Sequence, residues 1–101
     1  MHHAKLVTVY TEAALESELI REMEKLHVSG YTISNARGKG ARGARTGAWE
    51  ASSNIRVEII CDDALAKTLI DTFTKKYYDH YAMVAFISDI EVIRQHKFQA
   101  D

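Results

Sequence analysis

The residues best suited to chemistry lie in one short stretch. Arg37-Gly38-Lys39-Gly40-Ala41-Arg42-Gly43-Ala44-Arg45 interleaves four cations with residues that have almost no side chain. Glycine lets backbone N–H groups approach an anion closely and reaches the positive-φ conformations of anion-cradling turns, while arginine forks grip phosphate oxygens in pairs. Phosphate is the natural ligand of such a segment. The pattern G-x-x-x-x-G-K-[ST] of a P-loop is absent, and so is a Rossmann G-x-G-x-x-G opening a helix. Composition leaves two other readings open. One is a solvated hairpin loop kept soluble by its charges; the other is a contact for single-stranded RNA, although aromatic platforms are missing apart from Trp49. Trp49 itself reads equally well as packing against the body of the domain or as an anchor for a partner.

Charge is unevenly spread. The chain of 101 residues carries a formal net charge of -1, with 27% charged and 47% hydrophobic residues. From Lys25 to Trp49 there are five basic residues and no Asp or Glu, and setting aside the four cations of the glycine-rich stretch leaves nine basic against fourteen acidic residues. A globally basic nucleic-acid binder and a highly charged disordered chain are both excluded. Cys61 is the only cysteine, so no disulfide forms within the chain and a reducing compartment suits it. With no apolar run near the roughly 20 residues of a membrane span and no apolar leader, the expected location is the cytoplasm. His2 and His3 carry no weight in this reading.

The elements that must position the loop follow from periodicity. Lys5 to Tyr10 is β-branched and aromatic, a first strand, and Thr11-Glu12 then reads as an N-cap with an acidic first turn. Leu15, Leu19, Met23 and Leu26 form one helical stripe that should end before Gly30. Tyr31 to Arg37 reads as a second strand, and a loop of about 18 residues, 36–54, follows it, far beyond the usual 4 to 6 and therefore functional or disordered. Ile55, Val57, Ile59 and Cys61 alternate with Arg56, Glu58 and Ile60 in a third strand. Asp62 and Asp63 offer N-caps for a helix that carries Leu65, Leu69, Phe73 and Tyr77 and closes on Lys75 and Lys76. Ala82 to Ile87 is an apolar fourth strand, with a separate short strand expected over Ile90 to Arg94.

This order is βαββαβ, an α+β ferredoxin-like sandwich in one domain over residues 1–101. Both helices cover one face of the sheet. Strand four is apolar on both faces and strand one, with Leu6, Val7, Val9 and Tyr10, nearly so; the other face is therefore expected to be buried against further subunits.

Classical catalytic groups are not apparent. Asp62 and Asp63 are accounted for as helix caps, Glu58 as an outward residue of a strand and Cys61 as core. His27, His80 and His96 show no metal-ligand spacing with one another or with Cys61. His96, ahead of Lys97, reads first as a surface histidine, with contact to a phosphate as the alternative. No catalytic residue, metal or cofactor is expected.

On this frame several stretches resemble a known family. Gly30-Tyr31-Thr32-Ile33, Asn35-Ala36-Arg37-Gly38-Lys39-Gly40 with Arg42 and Arg45, Asn54-Ile55-Arg56-Val57-Glu58-Ile59, Tyr78-Asp79-His80-Tyr81-Ala82, and Glu91-Val92-Ile93 with His96 and Phe98 are similar to PII-like signalling proteins. The nearest kin are SbtB and carboxysome-associated PII proteins. The resemblance implies a homotrimer with adenine nucleotides (AMP, ADP, ATP, cyclic AMP) between subunits, under the base of a T-loop. It implies bicarbonate as co-ligand and a membrane bicarbonate transporter as target, with membrane association through that partner. Carried over by position, Lys39, Arg42 and Arg45 grip phosphates, with Gly38, Gly40, Thr32, Ser34 and Tyr81 lining the rest; Trp49 is the loop's own candidate for partner contact, apart from the resemblance. No nucleic acid is implied. The chain has no cysteine after Phe98, so the hydrolysis and redox control tied to the cysteine tail of SbtB proteins are not expected; a T-loop without the uridylylated tyrosine speaks against a nitrogen role. The rival from another class is a metal-tolerance trimer similar to the CutA family.

Overall fold

Two ladders on one strand organise the chain. In the computed structural model, which describes residues 1–38 and 53–94, strand β1 (His2–Glu12) pairs antiparallel with β3 (Asn54–Cys61) on one edge and with β4 (Met83–Val92) on the other. Strand β2 (Thr32–Ala36) adds to the free edge of β3, giving the sheet order β2-β3-β1-β4. Two helices, α1 (Glu16–Lys25) and α2 (Asp63–Phe73), complete the βαββαβ pattern of a ferredoxin-like α+β fold.

Alternation decides which side chains lie under the helices. Val7 and Val9 of β1 and Val57 and Ile59 of β3 point to the helical side and are fully buried, facing Leu15, Leu19 and Met23 on one side and Leu69 and Phe73 on the other. Each such side chain contributes about 1.5–3 kcal/mol by leaving water. The stripe Leu65, Leu69, Phe73, Tyr77 is buried throughout, as its spacing predicts. Asp62 is the N-cap of α2, its Oδ1 accepting from the Leu65 amide at 2.8 Å, whereas Asp63 lies inside the first turn and pairs with Lys67 at 3.0 Å.

The structure corrects three expectations. Thr11 does not cap a helix: β1 runs through Glu12, and a single 3-10 turn, Ala13–Leu15, leads into α1. The pull of the ladder wins, because Thr11 is paired with both Ile55 and Met83. The separate strand over Ile90 to Arg94 does not exist either. β4 continues without a break to Val92, since β1 begins as early as His2 and supplies partners for Ile90, Glu91 and Val92. Third, α2 ends at Phe73 and a π-helical turn, Thr74–Tyr78, carries Lys75 and Lys76.

On the face away from the helices, Leu6, Tyr10, Val84 and Phe86 share one side with Ile60 and Ile90. Val84 is 48% and Phe86 43% exposed in the single chain, and the Tyr10 and Phe86 rings lie 6.4 Å apart.

Helix α1 stops in a double hydrogen bond. The Val28 amide donates to the Met23 carbonyl at 3.0 Å and the His27 amide to that of Glu24 at 3.1 Å, the pattern that normally places glycine in the left-handed position. Here His27 takes it, at φ 57°. Left-handed backbone costs a residue with a Cβ about 1 kcal/mol. His27→Gly is therefore expected to raise stability by about 0.5–1 kcal/mol in urea unfolding; a loss of stability would show that the imidazole makes compensating contacts.

Candidate functional site

The register brings three segments to one end of the sheet. Ala36, the last residue of β2, pairs with Asn54, the first of β3; Asn54 pairs with Glu12, the last of β1; and Ala82, one residue before β4, is bonded to Glu12. With strands about 4.8 Å apart, this row spans about 14 Å from β2 to β4. Both roots of the glycine-rich loop therefore lie at the same end of the sheet as the turn that precedes β4, the Ser53 root separated from it by β1 and the Ala36 root by β3 and β1.

The turn is held tightly. Thr11 Oγ1 donates to the Ala82 carbonyl at 2.7 Å, and the Ala82 amide donates to Glu12 Oε2 at 2.7 Å. At the turn's start the His80 and Tyr81 amides both donate to the Tyr77 carbonyl at 3.1 Å. Tyr81 is half-buried, its ring edge-on to Tyr77 at 6.2 Å. On the other side, the Ala13 amide donates to the Ser53 carbonyl at 2.8 Å where the chain re-enters the sheet.

The residues singled out in the sequence fall into three groups. Gly38 and Tyr81 belong to this end of the sheet. A Cβ on Gly38 would meet nothing within 4 Å among the described residues. Thr32 and Ser34 lie on the open face, opposite Glu58 and Arg56. Thr32 and Glu58 line a hollow of about 320 Å3 with Leu6, Tyr31, Ile60 and Ile90. Lys39, Gly40, Arg42, Arg45 and Trp49 lie outside the described residues, as does His96.

Some of the other ionisable groups have structural partners. Lys5 bonds Asp89, which faces it across the β1–β4 ladder, and lies 3.9 Å from Asp63. Among the described residues, no group of three or more His, Cys, Asp or Glu side chains is arranged to hold a metal ion. No helix among them is long and apolar enough to cross a membrane.

Sequence reasoning missed a buried acid. Glu22 on α1 accepts from Lys76 Nζ at 2.8 Å and from the Tyr77 hydroxyl at 3.3 Å, tying α1 to the π-helical turn. The only sign in the sequence is an acid flanked by Leu19 and Met23 of the apolar stripe; its partners are more than fifty residues away. The Lys76 ammonium holds the Glu22 carboxyl below the usual carboxylate range, while burial, helped by the charge of Glu22, pushes the Tyr77 hydroxyl up. A depressed carboxylate stabilises the fold above its unfolded pKa and loses that contribution as pH falls through the folded value. Lys76→Met should thus cost about 1 kcal/mol at pH 7, a deficit that shrinks as the solution is acidified below pH 4.5; a pH-independent deficit in thermal melts would assign the effect to packing instead. Cys61 offers a second check. Burial pushes its thiol up to about 11, so a thiol reagent at pH 8 should modify it only after unfolding, and rapid reaction with the native protein would contradict its place in the core.

Comparison with known proteins agrees with this arrangement. The family model described as nitrogen regulatory protein P-II matches residues 4–97. A PII-like signalling protein from Thermus thermophilus is 38% identical, with a TM-score of 0.80 and 96% of each chain covered. CPII from Thiomonas intermedia K12, bound to ADP, AMP and acetate, is 25% identical with a TM-score of 0.83, covering 97% of this chain and 96% of that one. The same Thiomonas protein bound to ADP and bicarbonate superposes with a TM-score of 0.82 at 24% identity, covering 96% of this chain and 95% of that one.

Proposed function

The chain belongs to the nitrogen regulatory protein P-II family, and on that premise we propose that this PII-like signalling protein binds adenine nucleotides between the subunits of a homotrimer, with bicarbonate as co-ligand. Its output is control of inorganic carbon transport through the loop between β2 and β3. The observation that carries the reading is the convergence of Gly38, Ser53 and Tyr81 on one end of the sheet. It puts the roots of the cationic loop at the same end of the sheet as the turn that the resemblance assigns to the ligand. The Thiomonas relative, crystallised with ADP, AMP and bicarbonate, supplies the class of ligand. The exposed Val84 and Phe86 on the open face support an assembly that covers them.

Lys39, Arg42 and Arg45 are the proposed phosphate-gripping residues, with Gly38 and Gly40 offering backbone amides and Thr32, Ser34 and Tyr81 completing the cleft. Four cations within nine residues repel one another, and phosphate neutralises them and selects one loop conformation. That conformation shows or hides Trp49 to a membrane bicarbonate transporter. If bicarbonate stabilises the same conformation, reciprocity requires nucleotide and bicarbonate to tighten each other's binding.

Titration calorimetry with AMP, ADP and ATP, each with and without bicarbonate, tests this reading. Each arginine fork on a phosphate is worth about tenfold in affinity, so Arg42→Ala with Arg45→Ala should weaken ADP by about 100-fold. Absence of binding to the wild type, or an unchanged affinity in the double variant, sinks the proposal. The same samples should sediment as three copies.

A further inference from the structure

Ala82 is clamped in an unusual way. It lies outside β4, yet both of its backbone groups are held, and by neighbouring side chains of another strand. The Thr11 hydroxyl, fully buried, takes the carbonyl; the Glu12 carboxylate takes the amide. The amide belongs to the planar peptide that joins Tyr81 to Ala82, and the carbonyl to the peptide that joins Ala82 to Met83. Fixing both planes sets φ and ψ of Ala82, and hence where Tyr81 stands relative to the sheet. The next residue along, Ala13, holds the Ser53 carbonyl. Three consecutive residues of one corner therefore grip both segments on either side of it.

We propose that Glu12 and Thr11 are positioning residues of the ligand site: through this corner they fix Tyr81 against the returning root of the loop, so that a nucleotide meets a preset gap. The inference rests on the nucleotide reading above. Neither residue touches the ligand; each acts through the backbone it holds. Without Glu12 the amide of the buried Ala82 loses its acceptor, and the turn is free to settle wherever water or another acceptor serves it.

The test is ADP calorimetry and amide hydrogen exchange on the full chain carrying Glu12→Ala, Glu12→Gln or Leu65→Ala. Leu65 is a core residue of α2, at the opposite end of the sheet, and its truncation is a control for lost stability alone. Glu12→Ala should weaken ADP about tenfold and speed exchange at both Ala82 and Ala13 in the free protein. Glu12→Gln keeps an acceptor oxygen and should stay within about twofold of the wild type, while Leu65→Ala should melt lower and bind normally. The proposal is overturned if Glu12→Ala binds as the wild type does, if Glu12→Gln is as weak as Glu12→Ala, if Leu65→Ala weakens ADP equally, or if exchange at Ala13 is unmoved. A wild type that binds no ADP removes the nucleotide reading and the positioning role together, and exchange at Ala13 then still reports whether the corner couples its two segments.

Discussion

Strand β1 has a hydrogen-bonded partner along both edges, and the placement of the other elements follows from that. With β3 on one side and β4 on the other, its residues cannot slip in register without turning every side chain to the opposite face. Val7, Val9 and Thr11 are thereby committed to the helical side and Leu6, Thr8 and Tyr10 to the open side. Lys5 opposite Asp89, with Asp63 within 4 Å, places a charge match at the same register near the strand's start. The register also fixes where the strand ends. Because Glu12 stands opposite Asn54, the loop must re-enter the sheet beside the corner that begins the first helix, and the proposed site inherits that position.

The fold was legible because burial repeats with the period of each element. Alternation in Ile55 to Cys61 and the four-residue spacing of Leu65 to Tyr77 each mark a face that only one architecture buries. The failures are equally specific. Thr11-Glu12 has the chemistry of a helix cap, and nothing local says that the hydroxyl and carboxylate are taken by Ala82, seventy residues later in the chain. The far end of β4 reads as a separate strand because its partners, His2 to Ala4, carry no strand signal of their own. The left-handed His27 breaks the expectation of glycine at a helix end, and Glu22 satisfies its charge with residues no periodicity could connect to it. In each case the missing information is a long-range partner.

The site was legible to a different degree. The concentration of cations and glycines marks the loop as a candidate, and resemblance supplies the proposed ligand class; Thr32, Ser34, Gly38 and Tyr81 are distributed over two places in the single chain. Thr32 and Ser34 sit on the open face, while Gly38 and Tyr81 sit at the end of the sheet. Spacing alone could not show that division, since it arises from the ladder order β2-β3-β1-β4.

The open face itself is divided. On the β1–β4 side it presents Leu6, Tyr10, Val84 and Phe86; on the β2–β3 side it presents Thr32, Ser34, Arg56 and Glu58. An apolar partner laid over the whole face would strip water from Arg56 and Glu58, and removing water from charges costs more than burying Val84 and Phe86 returns unless each charge finds a partner. A copy docked on the apolar half avoids that cost and leaves the polar half as the wall of a wet cleft. The hollow bordered by Thr32 and Glu58 also has Leu6, Ile60 and Ile90 in its lining, so it lies where the two halves meet. The same division of side chains that favours association of copies thus also favours a polar ligand at its margin, and both trace back to which residues of β1 and β3 the register turns away from the helices.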